Sequence, residues 1–114
     1  MISENQNDGI EVGSDSIVLN NELVFNGQGA PDGAGVHVTG QGNRIEANNI
    51  RGSDRGVDVD QSGNAIIRNS ARDNGAPGVD NEFTDIVAGN LVGPVIDFGT
   101  VGSSSNPHAN YHLF

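Results

Sequence analysis

Gly35-Val36-His37-Val38 and Gly56-Val57-Asp58-Val59 are the two stretches that decide how this chain folds. Each sets a glycine ahead of an aliphatic–polar–aliphatic alternation, the period-two pattern of a strand with one face inside. Gly9-Ile10-Glu11-Val12 and Gly78-Val79-Asp80-Asn81 repeat the form. Twelve or thirteen residues beyond each glycine stands an asparagine: Asn21, Asn48, Asn69 and Asn90. An apolar residue lies two positions after each (Leu23, Ile50, Ala71, Val92), and another three positions before (Val18, Ile45, Ile66, Val87). The glycines are spaced by 26, 21 and 22 residues and the asparagines by 27, 21 and 21. Two landmarks therefore give one period of 21–22 residues, with a longer first repeat that accommodates a Gly-rich loop over residues 25–32.

One such unit offers three short apolar pairs separated by turns and cannot bury its own apolar side. Stacked units share a continuous core. The pattern predicts an all-β parallel β-helix: about four coils, three strands per coil, successive coils about 4.8 Å apart. Equivalent residues then form columns. Asn21, Asn48, Asn69 and Asn90 are expected as a ladder of side-chain amides, hydrogen-bonded from coil to coil. Asparagine also tolerates the left-handed backbone that sharp corners require.

Composition agrees once the repeat is phased. The 114 residues include 17 Gly and 15 Asn, with 15 acidic residues against 5 basic ones, no Cys, no Trp and no Lys. Without cysteine there are no disulfides or thiolate metal sites. A net charge of −10 argues against nucleic acid and anionic membranes as partners. No segment reaches the roughly 18 apolar residues of a membrane span, and residues 1–9 lack a signal-peptide core.

The repeating form G-[IV]-x-[VN]…[IV]-x-x-N-x-[ILVA], running from Gly9 to Val92, resembles right-handed parallel β-helix proteins of the pectate-lyase superfamily, including their NosD-like and carbohydrate-binding repeats. The resemblance implies a right-handed solenoid, an association with polysaccharides and a secreted setting. It implies no particular chemistry, because this fold carries lyases, hydrolases, epimerases, adhesins and inert spacers. No lyase signature surrounds Arg55, Arg68 or Arg72, and the missing Lys removes the polygalacturonase Arg-Ile-Lys motif. Asn106-Pro107-His108-Ala109 matches the epimerase Asp-Pro-His-Asp motif only at Pro-His.

The chain is expected to be one domain: a polar lead over 1–8, coils over 9–92 and a C-terminal cap over 93–114. Val95, Ile96, Phe98, Tyr111, Leu113 and Phe114 are expected to fold over the last coil. A first coil without a capping helix suggests a homo-oligomer, a dimer through that end or a strand face, or a piece of a longer solenoid.

Chemistry is expected on the outward columns of the Gly-led strands. One reads Glu11, His37, Asp58, Asp80 and the next Gly13, Thr39, Asp60, Glu82. Stacking would assemble Asp58, Asp60, Asp80 and Glu82 as a four-carboxylate patch, able to hold Ca²⁺ or to raise one carboxyl for general acid work. The same four residues are the catalytic candidates, and Glu11, His37, Asp58 and Asp80 the ligand-binding ones. A solvated face that keeps a β-rich protein soluble is the other reading of this acidity. His37 beside Glu11 and Asp58 would make a mixed cation site. His108 and His112 carry no metal-site spacing, and the five Arg residues between 44 and 72 read as charge balance for neighbours such as Glu46 and Asp54. The function expected is a non-catalytic structural or recognition module without a resident cofactor, the alternative being a polysaccharide-active lyase, hydrolase or epimerase.

Overall fold

The computed structural model describes residues 1–28, 33–75, 82–98 and 105–113. Strand β1 (Ile2–Ser3) precedes the first full coil, made of β2 (Ile10–Val12), β3 (Ile17–Leu19) and β4 (Glu22–Val24). The second coil is β5 (Ala34–Val38), β6 (Arg44–Glu46) and β7 (Asn49–Arg51), and the third is β8 (Arg55–Val59), β9 (Ala65–Ile67) and β10 (Ser70–Arg72). Then come β11 (Phe83–Thr84), β12 (Leu91–Val92), β13 (Val95–Phe98) and β14 (Asn110–Leu113). Pairing is parallel throughout and builds three sheets: β2-β5-β8-β11, β3-β6-β9-β12 and β1-β4-β7-β10-β14-β13. The protein is a parallel β-helix of about four coils.

Register turns the sequence alternation into columns. Ile10, Val36, Val57 and Phe83 align on the first sheet, Val18, Ile45, Ile66 and Val92 on the second, and Ile2, Leu23, Ile50 and Ala71 on the third. Val36, Val57, Ile45, Ile66, Leu23 and Ile50 are buried and meet in one narrow aliphatic core. Such a core suits β-branched residues, whose stiff side chains pack well on a pleated surface.

The corners carry three polar ladders. In one, Asn21 Nδ2 donates to Asn48 Oδ1 at 3.1 Å, Asn48 Nδ2 to Asn69 Oδ1 at 3.0 Å and Asn69 Nδ2 to Asn110 Oδ1 at 3.1 Å. In the second, Ser16 N donates to Asn43 Oδ1 at 2.9 Å, Asn43 Nδ2 to Asn64 Oδ1 at 3.0 Å and Asn64 N to Asn90 Oδ1 at 2.8 Å. The third runs from Asn5 Nδ2 to Asn26 Oδ1 at 2.8 Å, from Asn26 N to Ser53 Oγ at 3.3 Å, from Ser53 N to Asn74 Oδ1 at 2.9 Å and from Asn74 N to Glu82 Oε1 at 3.2 Å. Asn90 thus leaves the expected ladder for the neighbouring one, and Asn110 takes its place. The left-handed residue at each corner is not the ladder Asn but the one before it. Asn20, Ala47 and Arg68 have φ of 57°, 56° and 56°, and Asp15, Phe25 and Asp73 55° each. The tight bend turns the following amide inward, where its side chain meets the stacked coil.

Coil four departs from the expected phase. Phe83 pairs with Val57 and Thr84 with Asp58, so Glu82, not Gly78, stands opposite Gly56. The slip is four residues. On the second sheet the shift is five residues: Val92 takes the inner position opposite Ile66, and Val87, expected there, is 44% exposed. Gly78, Val79 and Asp80 lie outside the described residues, as does Phe114. Where the cap is expected, β14 pairs between β10 and β13, out of sequence order. The polar lead also belongs to the solenoid, since Ile2 pairs with Leu23 and Asn5 heads a ladder.

Candidate functional site

On the outer face of the first sheet, Glu11, His37 and Asp58 share one column, as their strand positions dictate. The fourth member is Thr84 and not an acidic residue. The expected Asp58/Asp60/Asp80/Glu82 patch therefore does not assemble as drawn. Glu82 is 3% exposed at a corner, its Oε1 accepting from Asn74 N and lying 3.6 Å from His112 Nε2. Asp80 lies outside the described residues. The four-residue slip is the physical cause, because it moves Glu82 from the position beside Asp60 to the strand entrance opposite Gly56.

What does assemble is a network centred on His37. Its Nδ1 lies 3.2 Å from Asp8 Oδ2 and its Nε2 2.9 Å from Asp60 Oδ2 and 4.0 Å from Asp58 Oδ2. Burial alone would lower the His37 pKa, but hydrogen bonds to Asp60 and Asp8 outweigh it and hold the ring above its usual value. Asp58 is buried, and burial pushes its carboxyl up against the pull of Arg55. Arg55 Nη1 reaches Asp58 Oδ2 at 2.8 Å and Asp85 Oδ2 at 3.0 Å. The spacing of the repeat located Glu11, His37, Asp58 and Asp60 but not Asp8, Arg55 or Asp85. Asp8 and Arg55 each precede the glycine of a Gly-led strand, so one more residue on the motif would have found both.

The remaining arginines balance charge as expected at one point. Buried Glu46 is flanked by Arg44 and Arg68, both half exposed. His108 is exposed, its N–H donating to Asn106 Oδ1 at 2.9 Å.

A second feature lies at the corner between the first and second sheets. An open groove of about 650 Å³ runs across three coils, bordered by Ser14, Asp15, Thr39, Gln41 and Gln61 with glycine backbone between them. Hydroxyl, amide and carboxylate groups offer donors and acceptors in turn along it. No protein-family model, curated protein or solved structure matches the chain.

Proposed function

We propose that the chain is a non-catalytic parallel β-helix module of the pectate-lyase-like, carbohydrate-associated kind, which recognises a neutral polysaccharide along its corner groove. The groove carries this reading. Three successive coils, about 4.8 Å apart, each contribute polar side chains to it: Ser14 and Asp15 from the first, Thr39 and Gln41 from the second and Gln61 from the third. A hydroxyl-bearing polymer presents complementary donors and acceptors repeatedly along its length. Asp15 in the groove and a net charge of −10 disfavour uronate polymers. Binding is tested by titrating isotope-labelled protein with neutral and uronate oligosaccharides. Shifts confined to the groove, lost together in Gln41→Ala and Gln61→Ala, support recognition. Their absence with every oligosaccharide refutes it.

Self-association belongs to the same reading. β1, β2 and β3 are terminal strands of their sheets, and Ile17 and Leu19 on β3 are 70% and 46% exposed. An edge of this kind favours pairing with a second copy. A monomeric mass by light scattering at micromolar concentration refutes that part.

A polysaccharide-active enzyme is the second reading, favoured by the raised Asp58 carboxyl beside His37 and Asp60. Turnover of any polysaccharide that disappears in Asp58→Asn would place the chain there instead. Engagement of Asp58 Oδ2 by Arg55, and of Asp60 Oδ2 by His37, supports the non-catalytic reading, because each carboxylate is already paired with a neighbouring basic side chain.

A further inference from the structure

His37 brings its two ring nitrogens to carboxylates of different coils. Nε2 stands 2.9 Å from Asp60 Oδ2 and 4.0 Å from Asp58 Oδ2. One donor atom each from His37, Asp58 and Asp60 lies within 4.8 Å of the other two. In a tetrahedral site with bonds of about 2.0–2.2 Å, ligand atoms sit roughly 3.4 Å apart. The two observed distances bracket that value, so shifts of about half an ångström convert the cluster into a coordination shell.

An unmet oxygen points the same way. Asp58 has only 2% of its side chain exposed, and its Oδ1 is buried with no hydrogen-bond partner among the described residues. Arg55 engages the other oxygen, Oδ2. A buried carboxylate oxygen without a partner is costly, and a cation relieves the cost. Beside it in the column, the Thr84 hydroxyl is also buried, with no hydrogen-bond partner among the described residues. Across the ring, Asp8 Oδ2 lies 3.2 Å from Nδ1. With a metal on Nε2 in place of the Asp60 hydrogen bond, the Nδ1 proton is left to Asp8, the orientation that metal-binding histidines adopt.

We propose that His37 Nε2, Asp58 and Asp60 bind one divalent transition-metal ion of the Zn²⁺ type, with Asp8 orienting the imidazole. An imidazole and two carboxylates suit Zn²⁺, whereas Ca²⁺ takes six to eight oxygen ligands. Asp8, Glu11 and His37 form a second trio on the Nδ1 side. Asp58, which carries the unmet oxygen, approaches the ring at Nε2, its Oδ2 at 4.0 Å, so the Nε2 trio is the one assigned.

The full chain, freed of metal by a chelator, is titrated calorimetrically with Zn²⁺ alone and with Ca²⁺ alone, and the imidazole nitrogens are followed by NMR. One Zn²⁺ per chain is expected, with the Nε2 resonance displaced and with Ca²⁺ binding at least about 100-fold weaker. Asp60→Asn should weaken Zn²⁺ about tenfold or more, and His37→Gln should remove binding. Glu11→Gln should stay within about twofold of the parent, because it lies outside the shell. Asp60 is 42% exposed, so Asp60→Asn leaves the fold intact and its circular dichroism unchanged. Failure of the parent to bind millimolar Zn²⁺, unchanged binding in Asp60→Asn or His37→Gln, or a loss confined to Glu11→Gln would overturn the assignment.

Discussion

Truncating Asn69 to alanine tests whether the amide ladders hold the coils together. Asn69 is fully buried. Its Oδ1 accepts from Asn48 N at 3.1 Å and Asn48 Nδ2 at 3.0 Å, and its Nδ2 donates to Ile45 O at 3.0 Å and Asn110 Oδ1 at 3.1 Å. After truncation, Asn48 Nδ2 still reaches Val18 O and Asn110 Oδ1 still accepts from Asn69 N. Asn48 N–H and the Ile45 carbonyl lose their side-chain partner. At about 1–3 kcal/mol for each buried group left unmet, Asn69→Ala should cost roughly 2–6 kcal/mol. That is a large share of the roughly 5–15 kcal/mol of a typical domain. Asn21 offers the control: it is only half-buried, and Asn48 Oδ1 keeps its bond from Asn21 N when the side chain goes. Asn21→Ala should therefore cost about 1 kcal/mol or less. Urea unfolding followed by far-ultraviolet circular dichroism measures both, with the slope m checked for constancy. Asn69→Asp adds a pH signature. A carboxylate there faces the Ile45 carbonyl and Asn110 Oδ1, which raises its folded pKa above the unfolded one. Its deficit against the parent is then full above the folded pKa and shrinks as pH falls through it. Equal costs for Asn69→Ala and Asn21→Ala would refute the ladder energetics.

Two further outcomes follow from the packing. A methyl group at Gly56 would sit 2.3 Å from the Glu82 backbone oxygen, whereas at Gly13 it would meet nothing within 4 Å. Gly56→Ala should lower stability by more than about 2 kcal/mol and Gly13→Ala by less than about 0.5 kcal/mol, compared by thermal melts. Ending the chain after residue 105 removes β14, uncovers β10 and takes Asn110 Oδ1 from Asn69. The shortened protein should form oligomers by light scattering, and a synthetic peptide of residues 106–114 in excess should return it toward the parent state.

The first three coils were legible because two signals agree there. Aliphatic alternation marks the strands, and an Asn followed two residues later by an apolar residue marks a corner. The same signature misplaces coil four. Asn43-Arg44-Ile45 and Asn48-Asn49-Ile50 both carry it, five residues apart, as do Asn64-Ala65-Ile66 and Asn69-Ser70-Ala71. Two different corners thus look alike. Between β11 and β13, Asn90-Leu91-Val92 alone carries the signature, and its spacing from Asn69 mimics a full coil although its partner is Asn64. The outer face was legible where strict alternation holds, at Glu11, His37 and Asp58. Arg55 and Asp8 were not, because they lie at strand entrances, where turns and not alternation set side-chain direction.

The out-of-order strand follows from the same five-residue rule. In the first three coils a ladder Asn lies five residues past a polar corner residue: Asn21 after Ser16, Asn48 after Asn43, Asn69 after Asn64. Five residues past Asn90 stands Val95, whose side chain cannot accept a hydrogen bond. A regular fourth coil would stack Val95 on Asn69 and leave the Asn69 backbone N–H and side-chain amide without their acceptor in the interior. Asn110 supplies that acceptor at 3.1 Å to each and is itself fully buried. Its own amide is met by Ile66 O at 2.9 Å and Gly93 O at 3.0 Å, so the ladder closes. β14 therefore takes the place on β10 that regular winding would give to β13, and β13 pairs one step farther out. The same insertion sets His112 opposite Ala71 and within 3.6 Å of Glu82, the residue that ends the third ladder. A valine in one corner thus accounts for both the interruption of the winding and the polar closure at that end of the core.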